Sequence, residues 1–139
     1  MATNISTIVF NAPIEKVWAA LTQPVLVKQW QYESDLITDW KIGSEIRFRN
    51  EWDGHVFQQW GTILELVHHK KIKYSLFFPR PGLEDKPENY FLMTYLLTQE
   101  DQKVKLEIIQ EDKREGAVQE EPQGEESPIL QSLKTVVES

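Results

Sequence analysis

Residues 45–67 read EIRFRNEWDGHVFQQWGTILELV, and this stretch decides the fold class. Ile46, Phe48 and Trp52 stand broadly opposite Arg47 and Arg49, the two-residue period of a strand with one apolar face. Asp53-Gly54 tolerates the positive φ of a tight turn, so the chain doubles back here as a hairpin. Val56–Val67 then supplies a long strand in which Gly61 marks a bend or a bulge. Strands joined by so tight a turn are antiparallel neighbours.

The same period continues outward in both directions. Downstream, His68-His69-Lys70 turns the chain into a strand over Lys71–Phe78, with Ile72, Tyr74, Leu76 and Phe78 on one face. Pro79–Asn89 (PRPGLEDKPEN) is a loop. Tyr90–Thr98 and Lys103–Gln110 read as strands, the last with Val104, Leu106 and Ile108 opposite Lys103, Lys105 and Glu107, so that one face is wet. Upstream, Leu36–Trp40 is a strand and Lys41–Ser44 a turn. Ile5–Phe10 is a β-branched strand stopped by Asn11-Ala12-Pro13. Ile14, Val17, Trp18 and Leu21 form the stripe of a short amphipathic helix, and Pro24 opens a second one bearing Leu26, Val27 and Trp30. At the other end Ser127 is an N-cap candidate, Pro128 suits the first turn, and Glu125 and Glu126 lie at the positive end of the helix dipole. Ile129, Leu130, Leu133, Val136 and Val137 then make one stripe over Pro128–Glu138.

These elements specify an α+β fold. A seven-stranded antiparallel sheet wraps around a C-terminal helix (127–139), with two short helices after the first strand and helices on one face. The 139 residues suit a single domain over 1–139. No cysteine is present, which excludes disulfides, a thiol nucleophile and cysteine-based metal sites. The net charge of −7 argues against nucleic acid and against an anionic membrane surface. Segment 111–126 (EDKREGAVQEEPQGEE) holds seven acidic and two basic residues, so the acidity is concentrated in one loop between the last strand and the last helix. No signal-peptide pattern or membrane-length apolar run occurs, and a cytoplasmic protein is the expectation.

The segment Phe10-Asn-Ala-Pro-Ile-Glu-Lys-Val-Trp-Ala-Ala-Leu-Thr22, followed by Trp30, resembles the opening of the START-like (SRPBCC, helix-grip) superfamily. Trp40-Lys-Ile-Gly-Ser-Glu-Ile-Arg-Phe48, Trp60-Gly-Thr-Ile-Leu-Glu-Leu-Val67 and Ile72-Lys-Tyr-Ser-Leu-Phe77 resemble its next strands. Together they are most similar to the branch related to the C-terminal domain of the activator of the 90-kDa heat-shock protein ATPase. The resemblance runs from about Thr7 to the end, and it implies a sheet gripping a long helix around an apolar cavity. Two features depart from it: the acidic 111–126 segment, and a short final helix without an aromatic residue, which leaves the cavity either more open or smaller.

Among candidate sites, His55, His68 and His69 show no chelating spacing, and neighbours on a strand point to opposite faces, so no metal is expected. No hydrolase elbow, phosphate loop or other catalytic motif occurs, and no cofactor is implied. Glu65, inside a mostly apolar strand, is the carboxylate to inspect for a shifted pKa. Trp52, Trp60, Tyr74, Phe78, Phe91 and Tyr95 crowd the central strands, and rings so placed serve equally as core or as pocket lining. Phe48, Trp52, Trp60, Tyr74, Phe78 and Tyr95, with Leu130 and Leu133 from the helix, are the expected ligand-binding residues, and the two tyrosines would offer polar tips.

The leading expectation is a non-enzymatic module that binds a hydrophobic small molecule between sheet and helix. A chaperone partner, implied by the resemblance, ranks second because the co-chaperone carries a further N-terminal domain. A cyclase- or hydrolase-like enzyme using the same cavity ranks third. An acidic segment near the cavity mouth disfavours anions, so the ligand is expected to be neutral or cationic. Neutralising Glu120, Glu121, Glu125 and Glu126 together to Gln should leave the thermal unfolding midpoint within a few degrees; loss of the cooperative transition would show that the segment is part of the core.

Overall fold

The computed structural model describes residues 2–31, 33–114, 117, 119, 122, 124 and 127–139, apart from the side chain of Trp52. Glu120, Glu121, Glu125 and Glu126 lie outside the described residues. The elements run β1 (Ala2–Phe10), α1 (Ile14–Thr22), α2 (Pro24–Trp30), β2 (Asp35–Ile37), β3 (Glu45–Trp52), β4 (His55–Val67), β5 (Lys71–Leu76), β6 (Phe91–Glu100), β7 (Lys103–Asp112) and α3 (Pro128–Glu138), with a short 3-10 turn at Pro87–Asn89. The seven strands form one antiparallel sheet in the order β1-β7-β6-β5-β4-β3-β2. This is the α+β architecture that the sequence specifies.

The register sorts the side chains. Ile8, Leu106, Tyr95, Ile72, Tyr74, Ile63 and Ile46 share the helix-bearing face, and all are at most 5% exposed. Val17, Leu21, Val27 and Trp30 of α1 and α2 and Leu130, Leu133 and Val137 of α3 close over that face. Each large apolar side chain buried here stabilises the fold by about 1.5–3 kcal/mol. Ser127 occupies the N-cap of α3, but its hydroxyl makes no capping bond, and the helix begins instead on Gln131 N–H to Ser127 C=O at 3.0 Å. Docking therefore holds α3 in place. Its C-terminal turn is tied to β1 by Lys134 Nζ to Val9 O (3.1 Å) and Asn11 N–H to Glu138 Oε2 (2.8 Å). The open edge of β1 is further covered by Gln119, which accepts from Thr3 N–H at 2.7 Å and donates to Thr3 O, a device that blunts strand addition.

Several boundaries differ from expectation for identifiable reasons. β2 stops at Ile37 rather than Trp40, because Trp40 has φ of 57° and its indole N–H donates to Thr22 O at 2.9 Å. A strand cannot pass through a left-handed residue. β1 starts at Ala2, where pairing with Asp112 extends both β1 and β7 beyond their apolar cores. Glu111 and Asp112 thus belong to β7 and not to a loop. Asp112 is 7% exposed and accepts from Arg114 Nε and Nη2 at 2.9 and 2.7 Å, while the guanidinium lies 5.7 Å over the Phe91 ring. These bonds from Arg114 hold the Asp112 carboxyl below its usual range.

Gly61 and the irregularity after it set the phase of β4. Trp60 bridges Phe77 and Ile63 pairs Tyr74, but the register shifts between Ile63 and Glu65, where a β-bulge sits. At Gly61 the β5 backbone comes so close that a Cβ would lie 1.7 Å from the Ser75 carbonyl oxygen. Only glycine fits such an approach. Gly61→Ala should therefore lower the unfolding free energy by about 3 kcal/mol in urea titrations; a change within about 0.5 kcal/mol would mean that the strands separate there at little cost.

Candidate functional site

A recess of about 530 Å³ opens on the helix-bearing face at the end of the sheet nearest the β3–β4 hairpin. Phe48, Asn50, Phe57 and Gln59 line it because Phe48 opposes Gln59 and Asn50 opposes Phe57 on the same face of the hairpin. Phe78, just beyond β5, closes one side, and Glu33 and Ser34, after α2, close the other. The Phe48 ring is 8% exposed and lies 5.9 Å from the Tyr74 ring, which joins the floor of the recess to the core. Phe57 and Phe78 are 50% and 44% exposed, a wet aromatic pair at the rim. Ser34, Asn50 and Gln59 supply a hydroxyl and two amides, which both donate and accept. The two charged lining residues, Glu33 and Glu51, are acidic and exposed, and Glu51 has Arg49 3.8 Å away.

The expected ligand-binding residues divide among four environments. Phe48 and Phe78 line the recess. Tyr74 and Tyr95 lie beneath it, 2% and 5% exposed, with their hydroxyls 2.9 Å apart in one shared hydrogen bond. Burial pushes both phenols above their ordinary pKa, so both stay neutral. Their polar tips orient each other. Leu130 and Leu133 are fully buried in the core under α3. Trp60, opposite Arg47 in the register, stands on the outer face, with the Arg47 guanidinium 4.9 Å over its ring. The side chain of Trp52 lies outside the described residues.

Two further residues sit differently from a plain alternating strand. The bulge puts Leu64 and Glu65 on the outer side, where Glu65 pairs with Lys71 (3.2 Å) and Lys73 (3.7 Å) and turns away from any pocket. His68 and His69 do not diverge: φ of 62° at His69 breaks the strand geometry, and the two rings stack at 3.8 Å. Both pack edge-on against Trp18, at 5.5 and 5.9 Å. Among the described residues, no group of three or more His, Asp or Glu gathers to hold a metal ion.

Asn50, Phe57 and Gln59 are site residues that the aromatic pattern did not single out. Their signal was the Asp53-Gly54 turn, because a two-residue turn fixes Asn50 opposite Phe57 and Phe48 opposite Gln59. Ser34 and Glu33 carry no such signal.

Residues 11–138 match the family described as "Activator of Hsp90 ATPase homolog 1-like protein". Among solved structures, the solution structure of ChR145 from Cytophaga hutchinsonii is 37% identical over 83% of this chain and 80% of that one, with a TM-score of 0.70. Protein CV1439 from Chromobacterium violaceum is 22% identical over 99% and 97% of the two chains, with a TM-score of 0.76. An HSP90 activator from Plasmodium falciparum is 17% identical over 81% and 74%, with a TM-score of 0.63. The last two likenesses are of fold. Comparison with curated proteins found no match.

The tyrosine pair yields a test of how the floor is built. Tyr74→Phe or Tyr95→Phe should each cost about 1–3 kcal/mol, because each strands a buried hydroxyl. The double variant should cost clearly less than the sum, as measured by a double-mutant cycle in urea. Additive losses would mean that water or another group already satisfies each phenol.

Proposed function

We propose, from the premise that this chain belongs to the activator of Hsp90 ATPase homolog 1-like family, that it is a small-molecule binding module whose site is the recess at the β3–β4 hairpin. One observation carries the reading. Phe48, Phe57 and Phe78 present aromatic surface around a recess of about 530 Å³, a volume in the range of small-molecule pockets. The amides of Asn50 and Gln59 orient a polar group of the ligand. Glu33 and Glu51 at the rim favour a neutral or cationic ligand and repel an anion. The recess lies to one side of α3, because Leu130, Leu133, Tyr74 and Tyr95 fill the space beneath the helix. The ligand therefore lies in the mouth of the grip.

A second reading is a chaperone partner, favoured by the family and by the exposed aromatic pair Phe57 and Phe78 at 50% and 44% exposure. Stimulation of a 90-kDa heat-shock protein's ATPase, lost in Phe57→Ser, would support it, and absence of stimulation would count against it.

The first reading is tested with three naphthalene probes that differ only in a methylamine, a hydroxyl or a carboxylate substituent, titrated by isothermal calorimetry and mapped by amide shifts. The amine and the alcohol should bind at least several-fold more tightly than the carboxylate, with shifts centred on Phe48, Phe57 and Gln59. Phe78→Ser should weaken both, and Glu51→Gln should narrow the gap between amine and carboxylate. Shifts elsewhere, or equal affinity for all three probes, would remove the recess as the site.

A further inference from the structure

The outer face of the sheet carries a second recess, of about 510 Å³. Its floor takes one outward residue from each of four adjacent strands: Thr62, Ser75, Leu92 and Glu111. Thr62 and Ser75 are short, and Ser75 Oγ accepts from Thr62 N–H at 3.1 Å, so the floor dips there. The wall is the loop between β5 and β6, and the structure shows why that loop lies down on the sheet. Trp60, Phe77 and Tyr90 form an aromatic run, with ring centroids 5.5 and 5.3 Å apart. Asp85 of the loop accepts from Trp60 Nε1 at 3.1 Å and from the Tyr90 hydroxyl. Asn89 Nδ2 donates to Glu84 O at 2.7 Å. A segment with three prolines is thus pinned as a standing wall.

Asp85 is spent on that construction. The remaining charged groups at the recess are Glu111 on β7 and Lys113 just after it, and among the described residues neither has an ion-pair partner. Other charges on outward positions are matched: Lys105 with Glu107, Lys73 with Glu65, and Arg47 with Glu45. One carboxylate and one ammonium at one end of an aromatic and aliphatic trough, above two hydroxyls, complement a small zwitterion with an apolar tail. We infer that this recess is a binding site for a free α-amino acid with an aromatic or branched aliphatic side chain. Glu111 receives the α-ammonium, Lys113 the α-carboxylate, and the side chain lies along Leu92, Pro87 and the Tyr90 ring.

The test uses the full chain and L-phenylalanine, with phenethylamine and 3-phenylpropionate as single-charge controls. Amide-shift titration should show saturable changes at Thr62, Ser75 and Leu92, with both controls at least tenfold weaker. Glu111→Gln and Lys113→Gln, both at the surface, should each weaken L-phenylalanine about tenfold and leave the unfolding midpoint unchanged. Lys113→Gln should reduce binding of 3-phenylpropionate and not of phenethylamine. Absence of saturable shifts up to high millimolar concentrations, shifts confined to Phe48 and Gln59, or binding indifferent to both substitutions would overturn the assignment.

Discussion

The backbone contact between Gly61 of β4 and Ser75 of β5 is the constraint on which the rest depends. It lets two strands cross so closely that no side chain fits between them, and it fixes the phase of β4. Gly61 stands opposite Ile46 on the helix-bearing face, so Trp60 and Thr62 must face outward. The bridge from Trp60 to Phe77 follows, and with it the aromatic run that pins the proline-rich loop. Phe78, one residue further, is left for the opposite side, where it lines the hairpin recess. One missing Cβ therefore assigns neighbouring aromatic residues to two different recesses.

The same geometry explains what the sequence could and could not disclose. Period and punctuation placed every strand and helix, and even the limits of α3, because Ser127-Pro128 and an unbroken apolar stripe are local signals. The faces of β4 were less legible. An alternating reading starting from Ile63 puts Glu65 inside and Leu66 outside; the bulge reverses both, and nothing in ILEL announces a bulge at that step. The histidine pair is a parallel case, since alternation predicts divergence and a single left-handed residue produces stacking. Trp40 ends its strand for the same kind of reason. A positive φ at a non-glycine residue is set by tertiary contacts, here an indole bond to the end of α1, and local propensity does not reveal it.

The candidate site was legible in kind and only partly in place. Phe48 and Phe78 were recoverable from alternation, and Asn50, Phe57 and Gln59 from the turn that pairs them. Tyr74 and Tyr95 were correctly placed inside, but sequence does not say that two inward tyrosines will meet. Their mutual bond changes their role, because two phenols that share a hydrogen bond are buried at less cost than one alone, which would call for a ligand or water. Filling that space moves the opening to the side, and the short α3, packed on α2, α1 and β1, leaves the β3–β4 end uncovered.

Electrostatics separates the two recesses more sharply than shape does. Their volumes are nearly equal, about 530 and 510 Å³, and both are walled by aromatic rings. The hairpin recess has acidic groups at its rim, one of them beside Arg49, so its field is negative and weak in water. The outer recess sets Glu111 and Lys113, one charge of each sign, beside a wall carboxylate, Asp85, that two neutral donors hold in place. A uniform rim field selects by the sign of the ligand, whereas a fixed pair of opposite charges selects by the spacing of charges within it. The sequence total of −7 contains neither property. Both emerge only when the fold brings Glu33 and Glu51 to one recess and Glu111 with Lys113 to the other.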